Sequence, residues 1–333
     1  MLPAAASEYV AEQGARLRAA GFRTRIVFPE GDDARVLEAA ARLAAGGLLE
    51  PVLIGNGQAP GVRFIEPELS PQLPKYAAIY YERRRAKGIT QMEAMRLAAH
   101  RLNFAALMAA AGDAEAVIGG CVHTTAEYVR SVLQCIGVQA GYRRASSAHI
   151  MAVRDRAFGR GGLLVFSDAA IQVSPGAAEL AEIAIAAAAT ARAVLATEPL
   201  VALLSFSTKG SASHRAAVKV AEALRYVRAR APELKIDGEL QADAALVAAV
   251  GRSKAPGSAV AGRANTLVFP DLNSANIGYK LVERLGNGAL LAVALQGVAR
   301  PAGLISRGCS ADDVFNAAIV TAAQAARASA AAP

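Results

Sequence analysis

The 333-residue sequence contains no tryptophan, and aromatic residues make up only 5% of it. Hydrophobic residues nevertheless account for 54% of the chain, so its core must be built from alanine, leucine, valine and isoleucine. Such a composition suits helices that pack on buried parallel strands. The longest apolar runs, such as residues 183–189, are too short and too rich in alanine to span a bilayer. We therefore expect an α/β protein without a membrane-spanning helix.

Cysteines are also scarce, and they lack the spacing of a disulfide framework. The three cysteines, Cys121, Cys135 and Cys309, are odd in number. This usage favours a reducing compartment. The N-terminus has no basic segment followed by an apolar one, so no secretory signal is predicted. Together these observations predict a cytoplasmic protein.

Several chemistries lack their sequence motifs. The chain has no G-x-S-x-G elbow, and its four histidines lack the spacing of a zinc site. No G-x-G-x-x-G follows the first predicted strand, which disfavours a nicotinamide-binding Rossmann domain. Paired aspartates at helical spacing, which a metal-dependent decarboxylating dehydrogenase needs, are also missing. We therefore expect no metal site.

The chain is basic, with a net charge of +8 and a pI near 9.6. A solvated surface in an arginine-rich protein explains this charge, and so does a polyanionic small substrate. Nucleic acid is a weaker alternative, because the arginines are dispersed and no aromatic stacking platform is evident. Composition alone leaves the first two interpretations open.

Short β-rich runs alternate with helical patterns along the whole chain, which predicts a largely parallel sheet covered by helices. Strands are predicted at residues 24–28, 51–54, 116–118, 149–153, 163–166, 201–205 and 266–269. Helices are predicted at residues 34–45, 76–85, 91–110, 124–133, 177–195, 213–230, 242–250, 275–285 and 311–327. We expect two domains, the first discontinuous (1–146 with 300–333) and the second formed by 147–299. Ligands of such sheets bind beyond the carboxyl ends of the strands.

The motif SRGCSADD at residues 306–313 combines an arginine, two hydroxyls, a thiol and two carboxylates before a predicted helix. Ser310 and Asp313 fit a capping box, so the segment could simply start a helix. Arg307 beside Gly308 favours a second interpretation, because arginine binds phosphate bidentately and glycine lets a ligand approach the backbone. Cys309 lies between the two features. The residues alone leave both interpretations open.

Other polar loops follow predicted strands. Ser258 lies in a glycine-containing turn whose amides could bind an anion, and Asn273 follows the strand at 266–269. Turn and helix-cap chemistry explains both equally well. The segment 28–35 predicts a helix start with capping acids, and Arg84 and Arg130 fit solvated helix faces as well as ligand sites.

Eight segments, taken together and in order, resemble the phosphate acetyltransferase family over residues 25–325. They are FPEG (28–31), LSFSTKGSA (204–212), APGS (255–258), AGRAN (261–265), FPDLN (269–273), NIGYK (276–280), LQG (295–297) and SRGCS (306–310). The resemblance implies reversible acetyl transfer between acetyl phosphate and coenzyme A. It also implies two α/β/α domains like those of isocitrate and isopropylmalate dehydrogenases, an active site in the cleft between them, and a homodimer that uses no metal or cofactor beyond coenzyme A as substrate.

Residue by residue, the resemblance makes Asp313 the catalytic base, with Ser306 and Arg307 beside it. It places Arg84, Arg130 and Arg307 at the substrates, which are coenzyme A or acetyl-CoA, acetyl phosphate and inorganic phosphate. We also expect Cys309, Ser258 and Asn273 to bind substrate. The sequence departs from the family pattern after residue 166, where Ala169 and Gln172 replace a cysteine and an asparagine of many relatives. This departure leaves the acyl-chain preference open.

Two alternatives remain beside acetyl transfer. One is a phosphate acyltransferase that prefers propionyl or butyryl groups. The other is a non-catalytic domain that binds acetyl phosphate or coenzyme A in a regulatory role. The intact Ser306, Arg307 and Asp313 favour an enzyme over the regulatory domain.

Overall fold

A computed structural model describes residues 3–19 and 24–330. The strands are β1 Arg25–Phe28, β2 Glu50–Ile54, β3 Arg63–Ile65, β4 Ala116–Gly119, β5 Ser146–Ala152, β6 Leu163–Ser167, β7 Val201–Leu204, β8 Ile236–Leu240, β9 Thr266–Val268, β10 Ala289–Gln296 and β11 Ala302–Leu304. The helices are α1 Ala4–Ala19, α2 Ala34–Ala45, α3 Leu73–Arg84, α4 Gln91–Ala98, α5 Arg101–Ala110, α6 Thr125–Cys135, α7 Ala177–Leu195, α8 Arg215–Arg230, α9 Ala242–Leu246, α10 Ala248–Lys254, α11 Leu272–Arg284 and α12 Ala311–Ala330.

The chain divides into two compact units. The N-terminal unit comprises Val10–Arg143 and the segment that starts at Gly297, and the central unit comprises Arg144–Gln296 with residues 3–9. The predicted domain boundaries differ by a few residues, and they assigned residues 3–9 to the other part. That the two units are separate domains stays a prediction.

In the N-terminal unit five parallel strands lie in the order β3-β2-β1-β4-β11. Helix α12 packs against α2, β4 and β11, and α3 packs against α5 and α6. The strands β1 and β4 are buried along almost their whole length, as strands covered by helices on both faces must be. Because the strands are parallel, the loops that follow β1, β4 and β11 all lie at one edge of the sheet.

In the central unit six strands lie in the order β10-β5-β6-β9-β7-β8. The strand β5 is antiparallel to both neighbours, while β6, β9, β7 and β8 are parallel. Helix α7 packs alanines and leucines against β7 and α8, and those side chains are almost fully buried. The predicted core of alanine and branched aliphatic residues is therefore confirmed.

The predicted α/β class with mostly parallel strands is confirmed, but four strands and α1 were missed. The strand β8 carries Asp237 and Glu239, which are buried although charged, so no apolar run marks it. The run predicted as one helix at 91–110 is two helices, because His100 takes an extended conformation between α4 and α5. The helix predicted at 242–250 is also divided, into α9 and α10.

Candidate active site

Three loops meet at the carboxyl edge of the N-terminal unit. The β1 loop (residues 29–33), the β4 loop (residues 120–124) and the β11 loop (residues 305–310) each follow a strand, and those strands are parallel neighbours. The backbone N–H of Ile305 donates to the carbonyl of Gly119, so the β11 loop leaves the sheet next to β4. This edge is where α/β sheets place their ligands.

Glu30 of the β1 loop holds the whole β4 loop. The residue is 5% exposed, and its carboxylate accepts hydrogen bonds from the backbone N–H groups of Gly120, Cys121, Val122 and His123, at 2.7–3.0 Å. The Nδ1 atom of His123 lies 2.9 Å from the same carboxylate. Four amides that would otherwise be orphaned at a loop are thus satisfied by one side chain, which fixes the loop's conformation.

Arg35, in the first turn of α2, holds the β11 loop. Its guanidinium donates to the Asp33 carboxylate through Nε and Nη2, at 2.9 and 2.8 Å. Nη1 donates to the carbonyls of Arg307 and Cys309, at 2.7 and 3.1 Å, and Nη2 donates to the carbonyl of Cys121 at 2.9 Å. The hydrogen bond from Arg35 also lowers the pKa of the Asp33 carboxyl. One guanidinium therefore joins all three loops.

The β4 and β11 loops also meet through two thiols. The Sγ atoms of Cys121 and Cys309 lie 3.3 Å apart, and Cys121 is buried while Cys309 is partly exposed. Their hydrogen bond and the burial of Cys121 raise the pKa of the Cys121 thiol. The same hydrogen bond, with Arg35 nearby, lowers the pKa of the Cys309 thiol. Cys309 is thus the more acidic of the two thiols.

Asp313 starts α12 in a reciprocal capping box with Ser310. Its Oδ2 atom accepts from the backbone N–H and the hydroxyl of Ser310, at 2.8 and 2.9 Å, and the Ser310 hydroxyl accepts from the Asp313 N–H at 3.2 Å. Its Oδ1 atom has no partner among the described residues. The neighbouring Asp312 pairs instead with Arg42 of α2, at 2.7 Å. The two carboxylates of the motif are therefore not equivalent.

Ser306 and Arg307 occupy the exposed tip of the β11 loop. The backbone carbonyl of Ser306 accepts from the N–H of Cys309, at 3.0 Å, which closes a turn around Gly308. The Arg307 guanidinium makes no hydrogen bond or ion pair with another described residue. A cation that is held by its backbone and left free at its head is suited to bind an anion.

Two further predicted arginines lie on helices of the same unit. Arg84 ends α3, and its Nε atom is buried without a hydrogen-bond partner among the described residues. Arg130 lies on α6, which packs against α3, and its side chain is exposed. Neither is neutralised by an ion pair within the described chain. Arg84, Arg130 and Arg307 are therefore all without an ion pair among the described residues.

Ser258 and Asn273, also predicted to bind substrate, lie in the central unit. The Ser258 hydroxyl donates to Asp237 and accepts from the N–H groups of Val260 and Ala261, at 3.2 and 3.0 Å. These bonds give Ser258 a structural task in its turn, as the capping interpretation expected. Asn273 lies in the first turn of α11, is exposed, and has no hydrogen-bond partner among the described residues.

The segment in which the sequence departs from the family pattern is well ordered by hydrogen bonds. Asp168 is buried and accepts from the Ser147 hydroxyl and from the N–H groups of the three residues 170–172. Burial raises the pKa of the Asp168 carboxyl. Ala169 is also buried, and the Gln172 amide donates to the carbonyl of Ala145 at 2.8 Å.

Comparisons with known proteins show the family of the chain. The family model described as phosphate acetyl/butaryl transferase matches residues 12–322. The chain belongs to this family. A phosphate acetyltransferase of Paracoccus denitrificans is 45% identical over 90% of this chain and 94% of its own length. One of Thermoanaerobacterium thermosaccharolyticum is 42% identical over 92% of this chain and 97% of its own length.

Solved structures of phosphotransacetylases share the fold of the transferase. A phosphotransacetylase from Streptococcus pyogenes is 39% identical and superposes with a TM-score of 0.88, covering 96% of this chain and 99% of that one. A 4-hydroxythreonine-4-phosphate dehydrogenase from Burkholderia phymatum is 13% identical, covers 91% and 98% of the two chains, and has a TM-score of 0.53. The second likeness concerns the fold alone, and it confirms a dehydrogenase-like fold, while the likeness to isocitrate and isopropylmalate dehydrogenases stays a prediction.

Sequence reasoning missed the residues that hold the loops of the transferase. The segment 28–35 predicted capping acids, and Asp33 indeed caps α2, but Glu30 and Arg35 bind backbone groups of loops far away in sequence. Cys121 was noted only as a cysteine without a partner. Its neighbour Cys309 is 188 residues away, so no local signal could have joined them.

Metal-binding clusters and membrane-spanning helices are both absent from the described residues. Among residues 3–19 and 24–330, no group of three or more His, Cys, Asp or Glu side chains could hold a metal ion. Within the same ranges, none of the helices combines the length and the apolar character that crossing a bilayer requires.

Proposed function

We propose that the chain catalyses reversible acetyl transfer between acetyl phosphate and coenzyme A. The observation that carries the proposal lies in the β11 loop and the start of α12. Arg307 has no ion pair among the described residues, and six residues later Asp313 has an Oδ1 atom without a hydrogen-bond partner among them. The names of the relatives support this reaction, because several of them that are 38–45% identical are phosphate acetyltransferases. Acetyl phosphate, phosphate and coenzyme A are all anions, which suits the basic chain.

In the proposed reaction the coenzyme A thiol gives its proton to Asp313. The thiolate then attacks the acetyl carbonyl carbon and forms the S–C bond. The bond between this carbon and the oxygen that bridges to phosphorus breaks. The electron pair of that bond leaves with inorganic phosphate, so no acyl-enzyme is formed. Asp313 suits the role of base because its Oδ2 atom is fixed by Ser310, while Oδ1 is free to accept the proton. A placed base contributes about 10²–10⁴ in rate.

The arginines supply the electrostatic part of the mechanism. Arg307, with Ser306 beside it, stabilises the charge that develops on the acyl phosphate, and Arg84 and Arg130 bind phosphate groups of the substrates. A carboxylate is a much weaker base than a thiolate, so cations near the bound thiol must make its ionisation easier. Arg307→Ala removes one charged donor, and we expect a loss of about 10²–10³ in kcat. An unchanged kcat would make Arg307 a structural residue.

The proposal also assigns roles to residues of the central unit and a preference for the acyl group. Asn273 is free to donate to a substrate, whereas Ser258 is engaged by Asp237 and would act through the shape of its turn. Cys309 lies beside the substrates and is not the nucleophile, because coenzyme A brings the reacting thiol. We expect acetyl phosphate to be preferred over its propionyl and butyryl analogues, although Ala169 and Gln172 alter the family pattern.

The test is thioester formation, followed by ultraviolet absorbance, from coenzyme A and acetyl, propionyl or butyryl phosphate. Acetyl phosphate should give the highest kcat/KM. A higher kcat/KM with butyryl phosphate would make butyryl phosphate the preferred substrate. No reaction with any acyl phosphate would favour the non-catalytic regulatory domain. The same assay after treatment with EDTA tests whether the reaction needs a metal, and we expect full activity.

We further propose that the chain forms a homodimer. Ile277, Leu281 and Leu285 follow each other at four-residue spacing on α11 and just beyond it, and they are 59%, 51% and 77% exposed. An apolar stripe of this kind is typical of a covered helix face. Leu281→Glu should halve the mass measured by light scattering, whereas Leu69→Glu, a control at an 82% exposed position of the N-terminal unit, should not. An unchanged dimer in both variants would exclude this face.

The proposed location is the cytoplasm. All three cysteines are free, as a reducing compartment favours. Fractionation of cells that express the full-length protein tests this, and recovery in an exported fraction would contradict it.

A further inference from the structure

The contact between Cys121 and Cys309 has no part in the proposed transfer reaction. The two Sγ atoms lie 3.3 Å apart, while a disulfide needs about 2.05 Å. The sulfur atoms therefore have to approach by only about 1.2 Å. Both cysteines lie in loops, and loops adjust more readily than the strands they follow.

The surroundings of the two sulfur atoms differ in a way that assigns them separate chemical roles. Cys309 is partly exposed, lies near the Arg35 guanidinium, and its pKa is lowered by the hydrogen bond with Cys121. Cys121 is 2% exposed and holds its proton, because burial and the same hydrogen bond raise its pKa. Thiolate character and exposure are what make a cysteine react with oxidants. A buried thiol next to it can resolve the product.

We propose that Cys121 and Cys309 are an oxidation site, which a peroxide converts to a disulfide that switches the transferase off. In the first step the Cys309 thiolate attacks one oxygen of hydrogen peroxide, the O–O bond breaks, and Cys309 becomes a sulfenic acid as hydroxide leaves. In the second step the Cys121 sulfur attacks the Cys309 sulfur, the S–O bond breaks, and the sulfenic hydroxyl leaves with the Cys121 proton as water. The sulfur atoms together lose two electrons, and the peroxide gains them.

The disulfide would act on the active site through the β11 loop. Cys309 immediately precedes Ser310, the capping partner of Asp313, and follows the tip that carries Ser306 and Arg307. A shift of about 1 Å in catalytic groups costs on the order of 10²-fold in rate. Arg35 would keep the oxidised loops together, since it binds the carbonyls of both Cys121 and Cys309. This consequence rests on the proposed function, whereas the cross-link itself does not.

The chemical test is peptide mass mapping of the full-length protein under non-reducing conditions, after treatment with hydrogen peroxide. Cys135 serves as an internal control, because it is buried and burial raises its pKa to about 12. We expect one linked peptide pair containing Cys121 and Cys309, with Cys135 unmodified. Oxidation of Cys309 to a sulfinic acid without a cross-link, or linkage of Cys135 to either partner, would overturn the proposal.

The functional test follows thioester formation before oxidation, after it, and after reduction by dithiothreitol. Wild type and Cys135→Ser should lose activity on the order of 10²-fold and regain it on reduction. Cys121→Ala cannot form the disulfide, so its Cys309 is open to oxidation beyond the sulfenic acid, and that part of the loss should not be reversed by dithiothreitol. A cross-linked protein of full activity would refute the switch and leave the oxidation site standing. A reduced protein without any activity would refute the proposed function while the mapping result still decides the cross-link.

Discussion

The Glu30 carboxylate offers a sharp test of how the active-site loops are held, because Glu30→Gln changes one atom and almost no volume. In the wild type, Oε2 accepts from the N–H groups of Gly120 and Cys121, and Oε1 accepts from those of Val122 and His123. A glutamine amide replaces one oxygen by an NH2 group, which cannot accept. Two backbone N–H groups then face a donor in a buried place.

Each buried donor that loses its partner costs about 1–3 kcal/mol, so the substitution should lower the stability of the N-terminal unit by roughly 2–6 kcal/mol. Hydrogen exchange resolves the effect locally. Amides that lose about 1–3 kcal/mol of protection should exchange about 5–150-fold faster. We therefore expect faster exchange in a peptide that covers residues 120–123, together with a lower urea midpoint.

Glu127→Gln is the matched control, because Glu127 completes the exposed capping box of α6 with Thr124, and glutamine serves in that position as well. Its exchange and midpoint should stay close to those of the wild type. If Glu30→Gln behaved like this control, the four amides would not depend on the carboxylate, and the account of how Glu30 fixes the β4 loop would be refuted.

Three further predictions concern catalysis, positioning and pH. Asp313→Asn should lower kcat by about 10²–10⁴ in steady-state kinetics. Asp312→Asn removes only a surface ion pair with Arg42 and should leave kcat unchanged. Near-full turnover of Asp313→Asn would exclude Asp313 as the base. Arg35→Ala should lower kcat more than it raises KM, and Arg35→Lys should recover part of the lost kcat. Equal effects of the two variants would show that the guanidinium fork is not needed to hold the loops. Burial lowers the pKa of His149 to about 3, so the native state keeps this ring neutral while the unfolded chain protonates below about 6.5. Stability from this ring is therefore complete above about pH 6.5 and falls by about 1.4 kcal/mol per pH unit below it, and His149→Gln should flatten that dependence in urea titrations between pH 7 and pH 5.

The α/β class followed from the sequence because most strands are apolar and are separated by helices of ordinary length. The strands that were missed show where this reasoning ends. In β8 the acids Asp237 and Glu239 are buried with partners from other segments: Lys209 and Ser258 bind Asp237, and Ser207 binds Glu239. In β10 an apolar run of seven residues fits a helix as well as a strand.

The candidate site was predictable only where its chemistry is local. The motif at 306–313 predicted both the capping box and an arginine suited to bind an anion, because both depend on residues a few positions apart. The contacts of Arg35 with the carbonyls of Arg307, Cys309 and Cys121 depend on the parallel order of β1, β4 and β11. Backbone carbonyls carry no residue-specific signal, so such contacts become visible only in the folded chain.

The central claim is direct acetyl transfer between acetyl phosphate and coenzyme A at this site. Exchange of radiolabelled inorganic phosphate into acetyl phosphate, measured with and without coenzyme A, tests it most directly. Direct attack by the coenzyme A thiolate predicts exchange when coenzyme A is present and none when it is absent. Exchange without coenzyme A would reveal an acyl-enzyme and contradict the mechanism. No exchange under either condition would contradict the proposed activity itself.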